Sequence, residues 1–369
     1  MIARGTIAAL VLASAALAAE TAAATAGEAG PLSAGGGVEI RPFSRWTESG
    51  GSSYWSSGSF EDLGLDLDAK GDRARAAASL EATVLEGQAA ADAWEAAPSS
   101  SSDLLLVPAF SAGAAAPATL VEARVRTLYV KLDWDWASLT AGRQVVNYLR
   151  GALWSPTDVF TELDLSGLLP VRRGTDAVRL TLPIGETGAA DLVSAPADRP
   201  DEGRYAARVS GFVLGLDGAL LGYRGGEART WNLGGDFKFD LGPAWNCELL
   251  WSRPDSGAPW LRAAGGADWS FGDFIVAAEY YYNGGGAAAD SNAPGLLNAY
   301  GVLTWRESDF VEFSASCIDG VSAGTSLSTL GATISAAQNA TVTVYARLGW
   351  GGSGSTRTAE TGLDLRVDF

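Results

Sequence analysis

Residues 361–369, TGLDLRVDF, alternate strictly, with Leu363, Leu365, Val367 and Phe369 set against Gly362, Asp364, Arg366 and Asp368. A period of two is the mark of a strand with one apolar and one wet face. The same period runs through the second half of the chain. In 229–240, Trp231, Leu233, Phe237 and Phe239 oppose Asn232, Asp236 and Lys238. In 340–350, Val342, Val344, Ala346, Leu348 and Trp350 oppose Thr343, Tyr345, Arg347 and Gly349. Segments 273–284 and 296–306 repeat it with Phe274, Val276, Tyr280 and Tyr282, and with Leu297, Leu303 and Trp305. No amphipathic helical pattern stands by to cover these faces. One-faced strands in succession, separated by turn residues, predict an all-β fold: a transmembrane antiparallel up-and-down β-barrel.

The connections set its size. Short ones (DLGPA, SFGD, RESD, AAQN) alternate with longer ones (RPDSGAP, GGGAAADSNAP, GVSAGTS). Short turns on one side and longer loops on the other are the habit of such barrels. The pattern yields about 18 strands, starting near 36, 56, 72, 119 and 137 and ending with starts near 326, 340 and 357. The first pair is the least regular, so 16 is the fallback. A barrel of this size encloses an aqueous channel unless something fills it. Two insertions break the rhythm, at 86–118 and at 148–173, and parity places both among the long outer loops. In the second, Ser155-Pro156-Thr157-Asp158 has the residues of a helix start: an N-cap serine, proline at N1 and an acid at N3. A short helix is expected at about 156–162. The insertion is either a surface loop or a segment folded inward to narrow the pore.

The N-terminal stretch MIARGTIAALVLASAALAAE has one basic residue, an apolar run and Ala16-Leu17-Ala18. This is the layout of a secretory signal peptide, expected over 1–18, with a flexible leader over 19–34 and the barrel over 35–369. The run is too short to span a bilayer as a helix. The terminal strand closed by Phe369 resembles the C-terminal β-signal of Gram-negative outer-membrane barrels. That resemblance implies location in the outer membrane, contact with its lipid, and recognition of Phe369 by the barrel assembly machinery. Residues 142–160, GRQVVNYLRGALWSPTDVF, resemble a motif of a porin-like outer-membrane family in Gly142-Arg143-Gln144 and in Pro156-Thr157-Asp158. Tyr148-Leu149 stands where that family has Trp-Gly, so no role is carried over to that pair. The resemblance covers about 20 residues and the two termini, and it implies compartment and fold without naming a substrate.

Composition narrows the function. The 13 Trp, 10 Tyr and 12 Phe suit interfacial girdles at strand ends. A net charge of −17 argues against a nucleic-acid partner, which needs basic patches. The chain has no His, which removes Ser-His-Asp and Cys-His catalysis and the commonest imidazole metal sites. No paired carboxylates, nucleotide loop or metal cluster stands out. No enzyme activity, cofactor or metal is therefore expected. Cys247 and Cys317 fall on apolar strand faces, and nothing in their spacing argues for a bridge.

In a barrel the face opposite the apolar one points into the lumen. Reading that face gives Arg124, Arg126, Arg143, Arg179, Arg204 and Arg208 as pore-lining in one stretch, with Glu122 and Asp191 as acidic exceptions. Glu248, Asp268, Glu279 and Glu312 line a second stretch, with Arg262 as the basic exception. Arg143 sits on a strand of mixed pattern that can be read either way. Opposed basic and acidic walls would set a transverse field across the pore. The alternative is neighbouring charges that pair merely to hydrate the wall. If the 148–173 insertion bends inward, Asp158, Glu162 and Asp164 are the candidates to hold it against the arginines.

The leading reading is a channel for passive diffusion of small hydrophilic solutes. The alternatives are a channel selective for an anionic solute such as an acidic saccharide, and a structural or adhesive barrel without an open pore. A homo-oligomer is compatible with the sequence.

Overall fold

The computed structural model describes residues 32–91, 119–164, 171–197, 199, 202–226, 229–286, 293, 295–351 and 356–369. The expected signal peptide, the leader as far as residue 31, and residues 92–118 of the first insertion lie outside the described residues. The last part of the expected leader is strand, because β1 already begins at Leu32.

The wall opens with β1 (Leu32–Ser49), β2 (Ser52–Lys70), β3 (Ala74–Gly87), β4 (Thr119–Trp134) and β5 (Ala137–Gln144). A small hairpin, β6 (Glu162–Asp164) and β7 (Val171–Arg173), stands apart as its own sheet. The wall resumes with β8 (Thr175–Ile184), β9 (Gly188–Ala195), β10 (Arg204–Val213), β11 (Leu216–Gly225), β12 (Thr230–Asp240) and β13 (Ala244–Arg253). It ends with β14 (Trp260–Phe271), β15 (Phe274–Asn283), β16 (Leu297–Arg306), β17 (Val311–Gly320), β18 (Thr325–Ala337), β19 (Ala340–Trp350) and β20 (Thr356–Asp368). These 18 wall strands form one antiparallel sheet, and β1 pairs with β20 to close it. The largest errors in the expected starts fall on the irregular first pair, placed near 36 and 56 and found at Leu32 and Ser52.

Closure leaves no open sheet edge, so the backbone N–H and C=O groups of the wall are largely paired strand to strand without water. Short turns at 71–73, 135–136, 185–187, 214–215, 241–243, 272–273, 307–310 and 338–339 share one end with Leu32 and Phe369. The longer connections lie at the other end, where Gly50–Gly51 is the short exception.

Facing follows the alternation. On β19 and β20, Val344, Leu348, Leu365 and Val367 are exposed on one side, whereas Tyr345 and Glu360 on the other are buried. Val342 and Leu363 share the first side, and Arg347, Asp364 and Arg366 the second. An exposed apolar exterior around a buried polar interior inverts a water-soluble protein and suits hydrocarbon surroundings. The rings at the turn end form a belt. Trp269, Phe271, Phe274, Trp305 and Phe313 contact one another in sequence across β14–β17, with centroids 5.1–6.1 Å apart. Trp55, Trp231, Trp251, Tyr282 and Trp350 are exposed towards the loop end. Phe274 and Tyr282 mark the two belts on β15. They are roughly 27 Å apart along the strand at ~3.4 Å per residue, or roughly 20 Å in height once a tilt of about 40° is allowed for.

The seam is tight. Gly36 and Phe369 exchange two backbone hydrogen bonds of 2.9 Å. A Cβ on Gly36 would lie 3.0 Å from the Phe369 ring and closer still to the Gly64 carbonyl. The terminal ring therefore fills a gap that only glycine leaves.

Candidate functional site

The segment after β5 does not leave the barrel. Val146, Tyr148 and Phe160 pack with Ala177, Val193, Ala195, Ala206, Leu221 and Leu250, all on the inward face of β8–β13. Further along, Leu153 and Trp154 pack on Ala264 and Tyr281 of β14 and β15. Trp154 stacks on Tyr281 at 5.6 Å, and Phe160 meets Tyr148 and Tyr223 edge-on. These apolar contacts hold residues 146–160 against the inner wall.

The polar contacts fix the segment's path. Glu248 of β13 and Glu279 of β15 are each 1% exposed. Glu248 accepts the Arg150 and Gly151 amides at 3.0 and 3.2 Å. Its other oxygen accepts the Ser155 hydroxyl at 2.5 Å, the Thr157 hydroxyl at 2.7 Å and the Thr157 amide at 3.3 Å. Glu279 accepts the Ala152 and Trp154 amides at 2.6 Å each, and the Leu153 amide at 3.4 Å. Buried carboxylates are tolerable only when satisfied in this way. Gly151 makes the close approach feasible, since a Cβ there would stand 2.1 Å from Glu279 Oε2. Arg150 adds charge, with Nε on Asp236 at 2.7 Å and both Nη atoms on Asp217 at 2.5 and 2.9 Å.

Two expectations are corrected here. First, no helix forms at 156–162. Asp158 N donates to Ser155 O in a single turn, and the chain then runs on to β6. The amide of Thr157, which a helix N-terminus would leave free, is captured by Glu248 instead. Second, the anchors among the described residues have the opposite polarity to that expected. The segment presents amides and a guanidinium to acids of the wall. Asp158 turns back to its own segment, where its Oδ1 accepts the Tyr148 amide at 3.4 Å. Glu162 and Asp164 lie on β6, and their side chains are outside the described residues.

Arg124, Arg179, Arg204, Arg208, Glu248, Asp268, Glu279 and Glu312 have the inward parity of their strands. Arg126 is the extra residue of a bulge between the rows of Ser79 and Leu80, where the alternation resets. Arg143 is a correction. It stands opposite Leu128 and Asp176, in the parity of exposed Val130 and Val178. Gly142, at φ +119°, has already broken the regular pleat before it. Arg143 is buried in a two-point pair with Asp176 at 2.6 and 3.1 Å, and its Nη1 donates to Val125 O. It clamps β4, β5 and β8 where the inward segment departs.

The two charged stretches are compensated locally. Arg124 pairs with Glu81 at 2.6 Å, Arg179 with Asp191 at 2.8 Å and Arg208 with Asp236 at 3.1 Å. Across the lumen, Asp268 pairs with Lys238 at 3.2 Å and Glu312 with Arg306 at 3.3 Å. Glu248 and Glu279 are occupied by the segment. Arg204 donates to Thr175 Oγ1 and lies 5.9 Å from the Phe160 ring centroid. Tyr148 lies beneath the Arg208 and Arg179 guanidiniums, at 4.8 and 5.9 Å. Burial first, and Asp191 next, push its phenol up to about 12, so it meets both cations as a neutral ring. Reading side-chain charge alone missed Arg150, Asp217 and the pairing of Asp236. The glycine before Ala152 was the available signal of close backbone approach.

Among the described residues, no group of three or more His, Cys, Asp or Glu is placed to hold a metal, and Cys247 and Cys317 are free. On the loop side, one helical turn at 88–91 sets Ala89 and Ala90 against Phe43, Leu85, Leu120 and Tyr345, again on the lumen face.

Fold and lumen together define a membrane-spanning β-barrel with an inward-folded segment. No family model and no curated protein matches the chain. Solved structures do resemble it. The outer-membrane protein OpdK of Pseudomonas aeruginosa, seen with vanillate, is 11% identical, with a TM-score of 0.57 over 91% of this chain and 98% of that one. OccAB1 of Acinetobacter baumannii is 9% identical, with a TM-score of 0.57 over 91% and 97%. OpdQ of P. aeruginosa is 8% identical, with a TM-score of 0.56 over 91% and 97%. At these identities the likeness is one of fold.

Proposed function

We propose that this chain is an outer-membrane, porin-like channel through which small hydrophilic solutes diffuse, and that residues 146–160 form its constriction. The observation that carries this reading is a closed 18-stranded wall with a polar inner face, onto which the 146–160 segment is bonded from within. An 18-stranded wall is wide enough to leave an aqueous path. A segment tied to Glu248 and Glu279 narrows such a path without anchoring on the far side. The fold shared with the outer-membrane protein OpdK supports the compartment. Phe369, last on a strand that closes the barrel, supports its reading as the signal for the assembly machinery. Arg124, Arg179 and Arg208 have inward parity and shape the path through their pairs with Glu81, Asp191 and Asp236.

Refolded protein in a planar bilayer tests this. The expected result is stepwise, ohmic single-channel current. Insertion without current would leave the structural or adhesive barrel as the better reading.

A further inference from the structure

We infer that the pore favours cations, so that its solutes are small polar compounds bearing ammonium or guanidinium groups rather than carboxylates. This rests on the channel reading above and concerns the charge of what passes.

The charge is unevenly placed along the path. Removing residues 1–31, with Arg4, Glu20 and Glu28, leaves 25 basic and 41 acidic residues, a net of −16. The turns at the terminal end carry Asp72, Asp135, Glu186, Asp273, Glu307 and Asp309 against Arg73 alone, a net of −5. The mouth at the terminal end is therefore acidic.

The lumen does not offset it. An anion-selective pore needs cationic groups that are not already neutralised. Here Arg45, Arg124, Arg179 and Arg208 each hold a carboxylate at 2.6–3.1 Å. Arg150, on the constriction itself, holds two. The Glu248 and Glu279 carboxylates bond chiefly to amides and hydroxyls, which carry no net charge, so the segment masks their access without cancelling their field. On the wall that the 146–160 segment leaves uncovered, Glu39 and Asp62 are ladder partners on the inward face, with Asp364 on the same face nearby and Arg41, 3.7 Å from Glu39, the cation beside them. Cations paired with carboxylates, inward acids bonded to neutral partners and an acidic terminal-end mouth give a negative mean potential in the path. A mean potential of only about −1 kT gives a cation-to-anion ratio of roughly 7.

The test is the reversal potential of the full-length mature chain in a KCl gradient. Expected is a K⁺ preference of several-fold near 10 mM, shrinking toward unity near 1 M, because the Debye length falls from about 30 Å to about 3 Å. Substituting the six turn acids together (D72N, D135N, E186Q, D273N, E307Q and D309N) should lower that preference while conductance persists. Current with Cl⁻ preference at low salt would overturn the inference alone. So would a K⁺ preference untouched by salt and by the six substitutions. Absence of any current would overturn the channel reading, and this inference with it.

Discussion

Glu279→Gln is the sharpest probe of the constriction. Glu279 offers one oxygen to Trp154 N and the other to Ala152 N and Leu153 N. Glutamine keeps the shape but has a single acceptor, and its NH₂ must face an amide donor. Whichever way it turns, at least one short 2.6 Å bond becomes a donor–donor conflict. A hydrogen bond to a charged group is worth about 1.5–3 kcal/mol, and an orphaned buried donor costs about 1–3 kcal/mol. The Trp154–Tyr281 stack and the burial of Leu153 survive the change, and the stack is worth roughly 0.5–1.5 kcal/mol. A net shift of about 3 kcal/mol is thus reasonable, raising the detached population of the segment by roughly 10²-fold. Single-channel recording is the assay. The variant should visit a higher-conductance level and show excess open-channel noise, with the wall strands intact by circular dichroism. Current level and noise identical to the parent would refute the reasoning, because the segment would then not depend on this carboxylate.

Gly151→Ala should mimic that phenotype, since its Cβ would collide with the same oxygen, and the double variant should add little. Additive effects on noise would separate the two and count against a shared contact. Arg143→Met should lower stability in detergent by about 3–5 kcal/mol by stranding buried Asp176, and adding Asp176→Leu should recover most of it. Thermal unfolding of both variants checks this, and an unperturbed single variant would sink it. Deleting Phe369 should reduce outer-membrane insertion in cells while the purified variant still refolds, since the ring offers at most roughly 1.5–3 kcal/mol of burial. Unchanged cellular insertion would rule it out. Removing residues 152–160 should raise conductance, and a parental value would place the constriction elsewhere.

The wall was legible because lipid on one side and water on the other force a period of two, which Val342 to Trp350 and Leu363 to Val367 carry on their two strands. The reading failed where the pleat failed. Arg143 follows Gly142, whose positive φ breaks the regular alternation, and Arg126 sits in a bulge that alternation cannot register. The constriction was half legible. Its inward course was one of two options, and the residue types suggested a helix and side-chain anchors. Neither suggestion could detect Glu248 and Glu279, because their partners are main-chain amides, which every sequence position supplies equally. Asp217 was missed for a different reason, since its partner Arg150 lies in the segment and on no strand face, whereas Asp236 was read on the wet face without its two partners, Arg208 and Arg150.

The pairing of β1 with β20 also bears on how the molecule comes into being. Joining Gly36 to Phe369 closes a loop of almost the whole barrel, at an entropic cost of roughly 5 kcal/mol from the logarithm of its length. That cost falls on the step that pairs β20 with β1. Until then β1 presents a row of unpaired amides and carbonyls along Leu32–Ser49, which neither hydrocarbon nor a neighbouring strand of its own sheet can satisfy. An unfinished wall is thus an adhesive edge in search of any strand. The bond between Gly36 and Phe369 is thus the step that turns an adhesive ribbon into an inert wall.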